Sequence, residues 1–159
     1  MIDSGKVSYS NPVRQSLFTY EDAKSSASKA KTAAARALQI DPNAQIEGHE
    51  LCVPMPGHVV INEEESKEAF EKLHELVKSH DVIFLLTDSR ESRWLPALLG
   101  HQSEKIVITV GLGFDSFVVM RHGMRNSTKK SSCYFCHDVI GPSDVKTNLK
   151  DGIFMFFRV

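Results

Sequence analysis

Two short apolar segments constrain the fold of this chain more than any other feature. Asp81–Thr87 reads DVIFLLT and Lys105–Val110 reads KIVITV, and each is apolar on both faces that a strand presents. Such strands are typical of parallel sheets covered on both sides, in which helices alternate with strands. Phe114–Met120 is predicted to be a further strand, antiparallel at an edge.

Amphipathic segments surround these strands. Ser25–Leu38 is rich in alanine and lysine, and the Asp41-Pro42-Asn43 turn is predicted to end this helix. Glu63 begins a second helix, whose predicted buried stripe consists of apolar residues at helical spacing: Ala69, Phe70, Leu73, Leu76 and Val77. Gln45–Val53 is predicted to be a strand. The chain is therefore predicted to be α/β and doubly wound, with ligands bound beyond the carboxyl ends of its strands.

The bulk composition narrows the class of protein. The chain has 159 residues, which suits one domain, and 42% of them are hydrophobic, which is enough for a core. The 19 basic and 20 acidic residues give a net charge of −1, so a nucleic-acid partner is not indicated. No apolar run is as long as a membrane span. Three cysteines, an odd number, argue against a disulfide framework.

Polar residues near the amino terminus could bind a nucleotide. Asp3 could accept hydrogen bonds from a ribose, and the alternative is a local turn or helix cap. Asn11, Arg14 and Gln15 lie close together in a polar loop, where the planar, permanently charged Arg14 could bind phosphate oxygens. The alternative for this loop is an ordinary turn with a solvated arginine.

Three further residues could contact phosphates or a metal ion. Lys29 and Lys31 lie at the start of the alanine-rich helix, where either could contact a phosphate or simply face solvent. Asp88 directly follows an apolar strand, which is a natural position for a Mg²⁺ ligand. It could equally be the N-cap of the helix that runs through Trp94.

The cysteines suggest half of a metal site. Cys133 and Cys136 form a C-x-x-C pair, which supplies two of the four ligands of a tetrahedral zinc, and the alternative is two reduced thiols. His137 is adjacent to Cys136, so joint ligation by these two neighbours is awkward. Cys52 lies in the predicted strand Gln45–Val53 and is expected to be a buried, inert thiol.

The order of these residues resembles the ubiquitin-activating-type enzymes. That superfamily shows an Asp, an Asn eight residues later, and Arg-Gln three and four residues further on; Asp3, Asn11, Arg14 and Gln15 match this spacing. Longer strings resemble the autophagy branch of the family: Pro54–His58, Ser79–Pro96, Gly113–Gly123 and Cys133–Cys136. The resemblance covers residues 3 to about 144.

The resemblance implies both a fold and a reaction. The fold would be the Rossmann-like ThiF or ubiquitin-activating type, with a mostly parallel sheet and helices on both faces, and it would be incomplete here. The reaction has two steps. ATP adenylates the C-terminal carboxylate of a ubiquitin-like modifier, and a cysteine then takes the acyl group as a thioester.

The resemblance also implies residue roles. The positions that would contact ATP and Mg²⁺ are Asp3, Asn11, Arg14, Gln15, Lys31 and Asp88. Asp3 would bind the ribose, Lys31 rather than Lys29 would bind phosphate, and Asp88 would hold Mg²⁺. Arg14 and Asp88 would be the catalytic residues.

Partners and location follow from the same resemblance. Cys133 and Cys136 would be half of the structural zinc site of the full-length family. The partners would be ubiquitin-like autophagy modifiers and their conjugating enzymes, with a homodimer in the family. The implied location is the cytoplasm, including pre-autophagosomal structures, in a pathway linked to protein transport.

The sequence also departs from the family pattern. It begins after the expected first strand and glycine-rich phosphate loop, and the loop between Gly123 and Cys133 is shortened. Residues 1–144 are therefore predicted to be a partial adenylation domain and residues 145–159 a divergent tail. Its apolar Ile153–Phe157 segment would be an aggregation hazard if exposed.

These departures set the functional expectation. The segment expected to carry the family's nucleophilic cysteine is replaced after Asp144, so the chain alone is expected to form no thioester and to adenylate poorly. The alternative function is a non-catalytic binding or dimerisation fragment of the same family. A dinucleotide-binding domain is disfavoured by the missing glycine loop and by the spacing of Asn11, Arg14 and Gln15.

Overall fold

The computed structural model describes residues 1–112, 115–124, 132–136 and 152–157, the last range for its backbone alone. The chain divides into two compact units, Met1–Cys52 and Val53–Val159, hereafter the first and second units. No helix within the described ranges is long and apolar enough to cross a bilayer.

The first unit contains two helices, α1 (Tyr20–Lys24) and α2 (Lys29–Ile40). The helix predicted to begin at Ser25 begins instead at Lys29. Ser25 instead ends α1 as its C-cap, and Ser26 has a φ of 50°, a left-handed conformation that interrupts the helical path. Helix α2 ends before Asp41, as predicted.

The prediction of a strand over Gln45–Val53 is wrong. Only isolated bridges are seen among the described residues of the first unit, with Ile2 beside His49 and Lys6 beside Ser28. The segment instead passes close to α2, because a Cβ atom added to Gly48 would lie 2.3 Å from the carbonyl oxygen of Ala30. The core of this unit is a small cluster of buried apolar residues: Val7, Phe18, Ala23 and Ala33.

The second unit has a four-stranded sheet of order β3-β2-β1-β4. Its elements in chain order are α3 (Glu63–Ser79), β1 (Val82–Thr87), α4 (Glu91–Gln102), β2 (Ile106–Leu112), β3 (Phe117–Arg121) and β4 (Gly152–Phe157). Strands β1 and β2 pair in parallel, with Val82 opposite Ile106, and α4 connects them. The predicted α/β class is confirmed.

Antiparallel strands flank this parallel pair, so the sheet is mixed. Strand β3 pairs with β2 at one edge, which confirms the prediction of an antiparallel edge strand there. Strand β4 lies within the predicted tail and pairs antiparallel with β1, with Thr87 opposite Gly152. The backbone of this segment is thus part of the sheet, and the division at residue 144 stays a prediction.

Helix α3 shows the predicted buried stripe with one exception. Asn62 is the N-cap of the helix, and its Oδ1 accepts hydrogen bonds from the backbone N–H groups of Glu64 and Glu65 at 3.0 and 3.3 Å. The exception is Phe70, which is 37% exposed and lies against the ring of His74 rather than in the core. The other four residues of the stripe are buried.

Candidate functional site

The amino-terminal loop fixes Asp3 in a buried position. The backbone N–H of Asp3 donates to the carbonyl of His49 at 3.1 Å, and His49 donates to the carbonyl of Met1 at 2.8 Å. The Asp3 side chain is 1% exposed, and its Oδ1 accepts from the backbone N–H of Gly5 at 2.7 Å. One carboxylate oxygen therefore has the local turn role that the sequence left open, and ribose binding stays a prediction.

Asn11 organises the loop that carries the predicted phosphate-binding residues. Its side chain is 2% exposed, and its Oδ1 accepts from the backbone N–H of Ser8 at 2.8 Å. Its carbonyl accepts from the backbone N–H groups of Arg14 at 3.0 Å and Gln15 at 2.8 Å. These bonds fold the loop into a turn in which Arg14 is exposed and Gln15 is half-buried. The Arg14 guanidinium is therefore available to an anion.

The first turn of α2 is electrostatically unusual. Ser28 makes no side-chain capping bond, and no acidic residue lies in this turn. The turn instead contains Lys29, which is buried, and Lys31, which is exposed. Because the amino end of a helix already carries partial positive charge, two lysines there raise the local potential and favour an anion.

The same turn lies beside the amino-terminal loop and the segment around Glu50. The backbone N–H of Lys29 donates to the carbonyl of Gly5 at 3.1 Å. The Lys31 ammonium lies 3.9 Å from one carboxylate oxygen of Glu50, and the Lys6 ammonium donates to the other. The hydrogen bond from Lys6 is the main cause that lowers the pKa of the Glu50 carboxyl. An anion bound by Lys31 would therefore compete with Glu50.

Asp88 lies in the second unit, immediately after β1, and is exposed. The following helix, α4, begins at Glu91 with Arg90 at its N-cap. The carboxylate is thus at the carboxyl end of a parallel strand, where open α/β sheets bind their ligands. Its position relative to Asp3, Arg14 and Lys31 stays a prediction.

A buried polar cluster adjoins this end of β1. Arg93 is 7% exposed, and its guanidinium donates to the carbonyl of Thr87 and lies 5.9 Å from the centre of the Tyr134 ring. The ring of His122 lies nearly parallel to the ring of Tyr134, with 6.5 Å between the two centroids and an interplanar angle of 8°. Its Nε2 lies 2.8 Å from Oγ1 of the buried Thr109.

The C-x-x-C segment forms a turn. The backbone N–H of Cys136 donates to the carbonyl of Cys133 at 3.0 Å, and their Sγ atoms lie 3.6 Å apart. Hydrogen bonds from the backbone and side chain of Cys133 lower the pKa of the Cys136 thiol. No group of three or more His, Cys, Asp or Glu side chains that could hold a metal occurs in the described part of the chain. His137 lies outside the described residues.

The separation of the two sulfurs fits shared metal ligation. Two sulfurs that each lie about 2.3 Å from one tetrahedral zinc are roughly 3.8 Å apart. The observed distance of 3.6 Å between the Cys133 and Cys136 sulfurs is close to this value. A disulfide would instead require about 2.05 Å. The separation is compatible with shared metal ligation and equally with a contact between two reduced thiols, so zinc ligation stays a prediction.

Cys52 is exposed, so the prediction that it is a buried thiol is wrong. The physical reason is that residues Gln45–Val53 do not form the apolar strand that was expected to bury it. Its apolar neighbour Val53 is buried, whereas Cys52 is not.

Comparison with known proteins identifies the family. Residues 1–153 match the family described as the ThiF family. The chain belongs to the ThiF family. The match extends past residue 144, into the segment predicted to be a divergent tail.

Similar curated proteins carry the name ubiquitin-like modifier-activating enzyme ATG7. The chain is 54% identical over 147 residues to the one from Pyricularia oryzae, which covers 90% of this chain and 21% of that protein. Identity is 52% over 149 residues with the Saccharomyces cerevisiae protein, at 92% and 23% coverage. It is 50% over 147 residues with the Candida albicans protein, at 90% and 23% coverage. The chain thus spans less than a quarter of the length of these relatives.

Several residues of this ThiF-family chain were missed by sequence reasoning. Glu50 lies within the segment Gln45–Val53 that was predicted to be a strand, so its ion pair with Lys31 was not expected. Arg93, His122 and Tyr134 come from separate segments, and no local spacing reveals that they stack. The sequence did contain one usable signal, because an aromatic residue inside a C-x-x-C turn is suited to anchor that turn.

Proposed function

We propose that this chain is part of an ATP-dependent activating enzyme that adenylates ubiquitin-like modifiers for autophagy. Two findings support the proposal: the chain belongs to the ThiF family, and it is 52–54% identical in sequence to proteins named ubiquitin-like modifier-activating enzyme ATG7. The proposed partners are ubiquitin-like modifiers and their conjugating enzymes, and the proposed setting is a cytoplasmic homodimer, including pre-autophagosomal structures.

The observation that carries the proposal is the first turn of α2. Adenylation brings a carboxylate to a triphosphate, and the repulsion between these anions must be screened. An uncapped helix start with Lys29 and Lys31, and without acidic residues, supplies positive potential for a phosphate. The exposed Arg14 guanidinium supplies a bidentate donor for the charge that develops in the transition state.

The remaining residues have supporting roles in this proposal. Asp3 binds the ribose of ATP, while Asn11 holds the turn that presents Arg14 and Gln15 to the phosphates. The turn role is supported by the hydrogen bonds that the Asn11 side chain and carbonyl accept. Asp88 is the residue that would hold Mg²⁺, because it is an exposed carboxylate at a strand end and Mg²⁺ prefers oxygen ligands. Bound there, the ion would neutralise phosphate charge.

The thioester step is not proposed for this chain alone. Cys133 and Cys136 are suited by their 3.6 Å separation to hold a metal as half of a zinc site. Cys52 is exposed, so burial no longer argues against it as a nucleophile. Incubation with ATP, Mg²⁺ and a modifier, followed by a non-reducing gel, tests this; a thiol-sensitive adduct lost in Cys52→Ser would identify that nucleophile.

ATP binding and ATP–pyrophosphate exchange together test the adenylation proposal. We expect saturable ATP binding that weakens in Arg14→Ala and Lys31→Ala, because each change removes a cation. We expect Asp88→Asn to weaken the dependence of binding on Mg²⁺. Lys67→Ala is the matched control, since Lys67 is an exposed lysine on α3 whose Nζ lies 4.0 Å from Glu71.

The outcomes separate the proposal from its alternative. Exchange stimulated by a modifier supports adenylation by this chain. ATP binding without exchange supports a nucleotide-binding part whose reaction needs the longer protein. Equal ATP binding in Lys67→Ala, Arg14→Ala and Lys31→Ala would contradict the assigned site, and the absence of any ATP binding would favour a non-catalytic binding or dimerisation fragment.

A further inference from the structure

Tyr134 is buried inside a turn whose neighbouring residues are not. It is 4% exposed, whereas Phe135 is 50% exposed, Cys136 is exposed and Cys133 is half-buried. Tyr134 therefore inserts into the second unit while both thiols remain accessible. The ring contacts the side chains of Arg93 and His122, and these three residues are called the Tyr134 stack.

Arg93 and His122 are each hydrogen-bonded to the sheet. Arg93 donates to the carbonyl of Thr87, the last residue of β1. The backbone N–H of His122 donates to the carbonyl of Val107 at 2.8 Å, and its ring nitrogen lies 2.8 Å from the Thr109 hydroxyl. Strands β1 and β2 therefore fix the two surfaces that contact the Tyr134 ring.

The chemistry of the stack indicates a specific orientation for Tyr134. A buried arginine is costly unless it is hydrogen-bonded and its charge is compensated, so simple space-filling would be served better by an apolar side chain. Arg93 instead contacts the ring as a cation–π partner at 5.9 Å, and His122 lies nearly parallel to the ring at 8°. These two contacts favour one ring orientation, and hence one placement of the adjoining thiols.

We propose that Arg93 and His122, acting through Tyr134, are positioning residues that hold Cys133 and Cys136 as a preformed half-site for a soft divalent cation. The inference rests on the proposed metal-binding role of the thiol pair. Residues that orient metal ligands typically change metal affinity 10- to 100-fold when altered. The stack is expected to have an effect of that size, because a loosened turn must be reordered whenever the metal binds.

Titration of the 159-residue chain with Cd²⁺ tests the inference through the absorption of the metal–thiolate bond. We expect Tyr134→Leu and Arg93→Met to bind Cd²⁺ at least about 10-fold more weakly than the unaltered chain. Tyr134→Phe retains the ring and is expected to bind as well as the unaltered chain. Phe135→Leu, which changes the exposed neighbour in the same turn, is the matched control and should also leave the affinity unchanged.

Amide NMR spectra of β1 and β2 establish that each variant is folded. If Tyr134→Leu does not fold, Thr109→Val replaces it, because this change keeps the side-chain size and removes only the hydroxyl that contacts His122. A weaker but measurable loss of Cd²⁺ affinity is expected in that variant. Unchanged affinity in a folded Tyr134→Leu or Thr109→Val chain would overturn the positioning role.

A second measurement separates the positioning role from metal binding itself. If the unaltered chain binds no Cd²⁺, the proposed metal role fails, and equilibration with glutathione disulfide then tests positioning. One glutathione disulfide oxidises Cys133 and Cys136 to an intramolecular disulfide and is reduced to two glutathione molecules. We expect the equilibrium constant to fall at least threefold in Tyr134→Leu, because a loosened turn lowers the effective concentration of the two thiols. An equal constant would overturn the inference.

Discussion

The two units of this chain satisfy their backbone hydrogen-bonding groups in different ways. In the second unit, strand ladders satisfy the backbone together with helices, and the buried side chains are mostly apolar. In the described part of the first unit, isolated bridges replace ladders, and side chains such as Asp3 and Asn11 accept backbone hydrogen bonds. Two residues of the proposed ATP site in the first unit, Asp3 and Asn11, therefore also hold its loops.

This difference shows where binding chemistry and structure are separable. In the second unit, Asp88 is an exposed residue directly after β1, a strand that is held by its backbone pairing with β2 and β4. In the first unit, changing Asn11 removes the bond that shapes its loop and thereby disturbs the turn proposed to present Arg14 and Gln15 to phosphates. Functional tests there are cleanest at exposed side chains such as Arg14 and Lys31.

The largest predicted effect is loss of a core residue in the second unit. Leu85 in β1 is fully buried, and Leu85→Ala is expected to lower the free energy of unfolding by about 2–5 kcal/mol. Leu98→Ala is the control, because Leu98 is 53% exposed and its change should stay within about 0.5 kcal/mol. Urea unfolding followed by circular dichroism measures both. Equal losses in the two variants would break the view that an apolar core holds this unit.

The next effect is a pH dependence that arises in the second unit. Burial, with a smaller contribution from the charge of His101, lowers the pKa of His122 from 6.5 to about 4. In the unfolded chain the His122 ring binds a proton near pH 6.5, whereas in the folded chain it does so only near pH 4. Stability from this group is complete above pH 6.5 and is lost as the pH falls toward 4.

The size of this loss is roughly 3 kcal/mol, given about 1.4 kcal/mol for each unit of pKa difference. Unfolding free energies measured at about pH 7 and about pH 4.5 should show most of it. In His122→Leu the titrating ring is absent, so the curve should be flatter over this interval. An NMR titration that finds His122 protonated at pH 6.5 in the folded chain would refute the prediction.

A matched pair of glycine substitutions compares the tightness of the two units directly. A Cβ atom on Gly48 would lie 2.3 Å from the backbone oxygen of Ala30, whereas one on Gly100 would meet a methyl group of Val107 at the same distance. Both substitutions overpack their sites and should lower the free energy of unfolding by about 1–3 kcal/mol. Gly48→Ala should be the more costly, because a backbone atom moves aside less readily than a side-chain methyl group. Thermal unfolding provides the ranking. The reverse order would mean that the first unit adapts more easily than its contacts indicate.

The smallest predicted effect compares two helix starts. Asn62→Ala removes a cap that accepts two backbone bonds and should cost about 1 kcal/mol. Ser28→Ala at the start of α2 removes no capping bond, so its cost should be smaller. Hydrogen exchange of the first-turn amides reports each cap separately. Equal loss of protection at both helix starts would contradict the assignment of α2 as uncapped.

The sequence predicted the second unit better than the first for a physical reason. Two-face apolar strands and a helical stripe are repeating patterns, so β1, β2 and α3 could be inferred from spacing. Phe70 departs from its stripe because it contacts His74 near the surface. In the first unit only α2 carries such a pattern, and Gln45–Val53 was misread because a close approach to α2, not a strand ladder, fixes Gly48.

The candidate site could be predicted only in part. The residues Asp3, Asn11, Arg14 and Gln15 were found because their spacing resembles a family pattern. The competition between Glu50 and a phosphate for Lys31, and the Tyr134 stack, depend on contacts between distant segments. No single-sequence pattern encodes such contacts, because each partner looks like an ordinary charged or aromatic residue in its own neighbourhood.

The two ladders of β1 differ greatly in the length of chain that they close. The β1–β2 pair is bridged by α4 alone, whereas the β1–β4 pair joins strands separated by most of the second unit. Closing a longer loop costs more entropy, so β1, α4 and β2 are expected to assemble first and β4 to join late. The order should reverse on unfolding: β4 detaches before the parallel pair opens, and its amides exchange with solvent soonest.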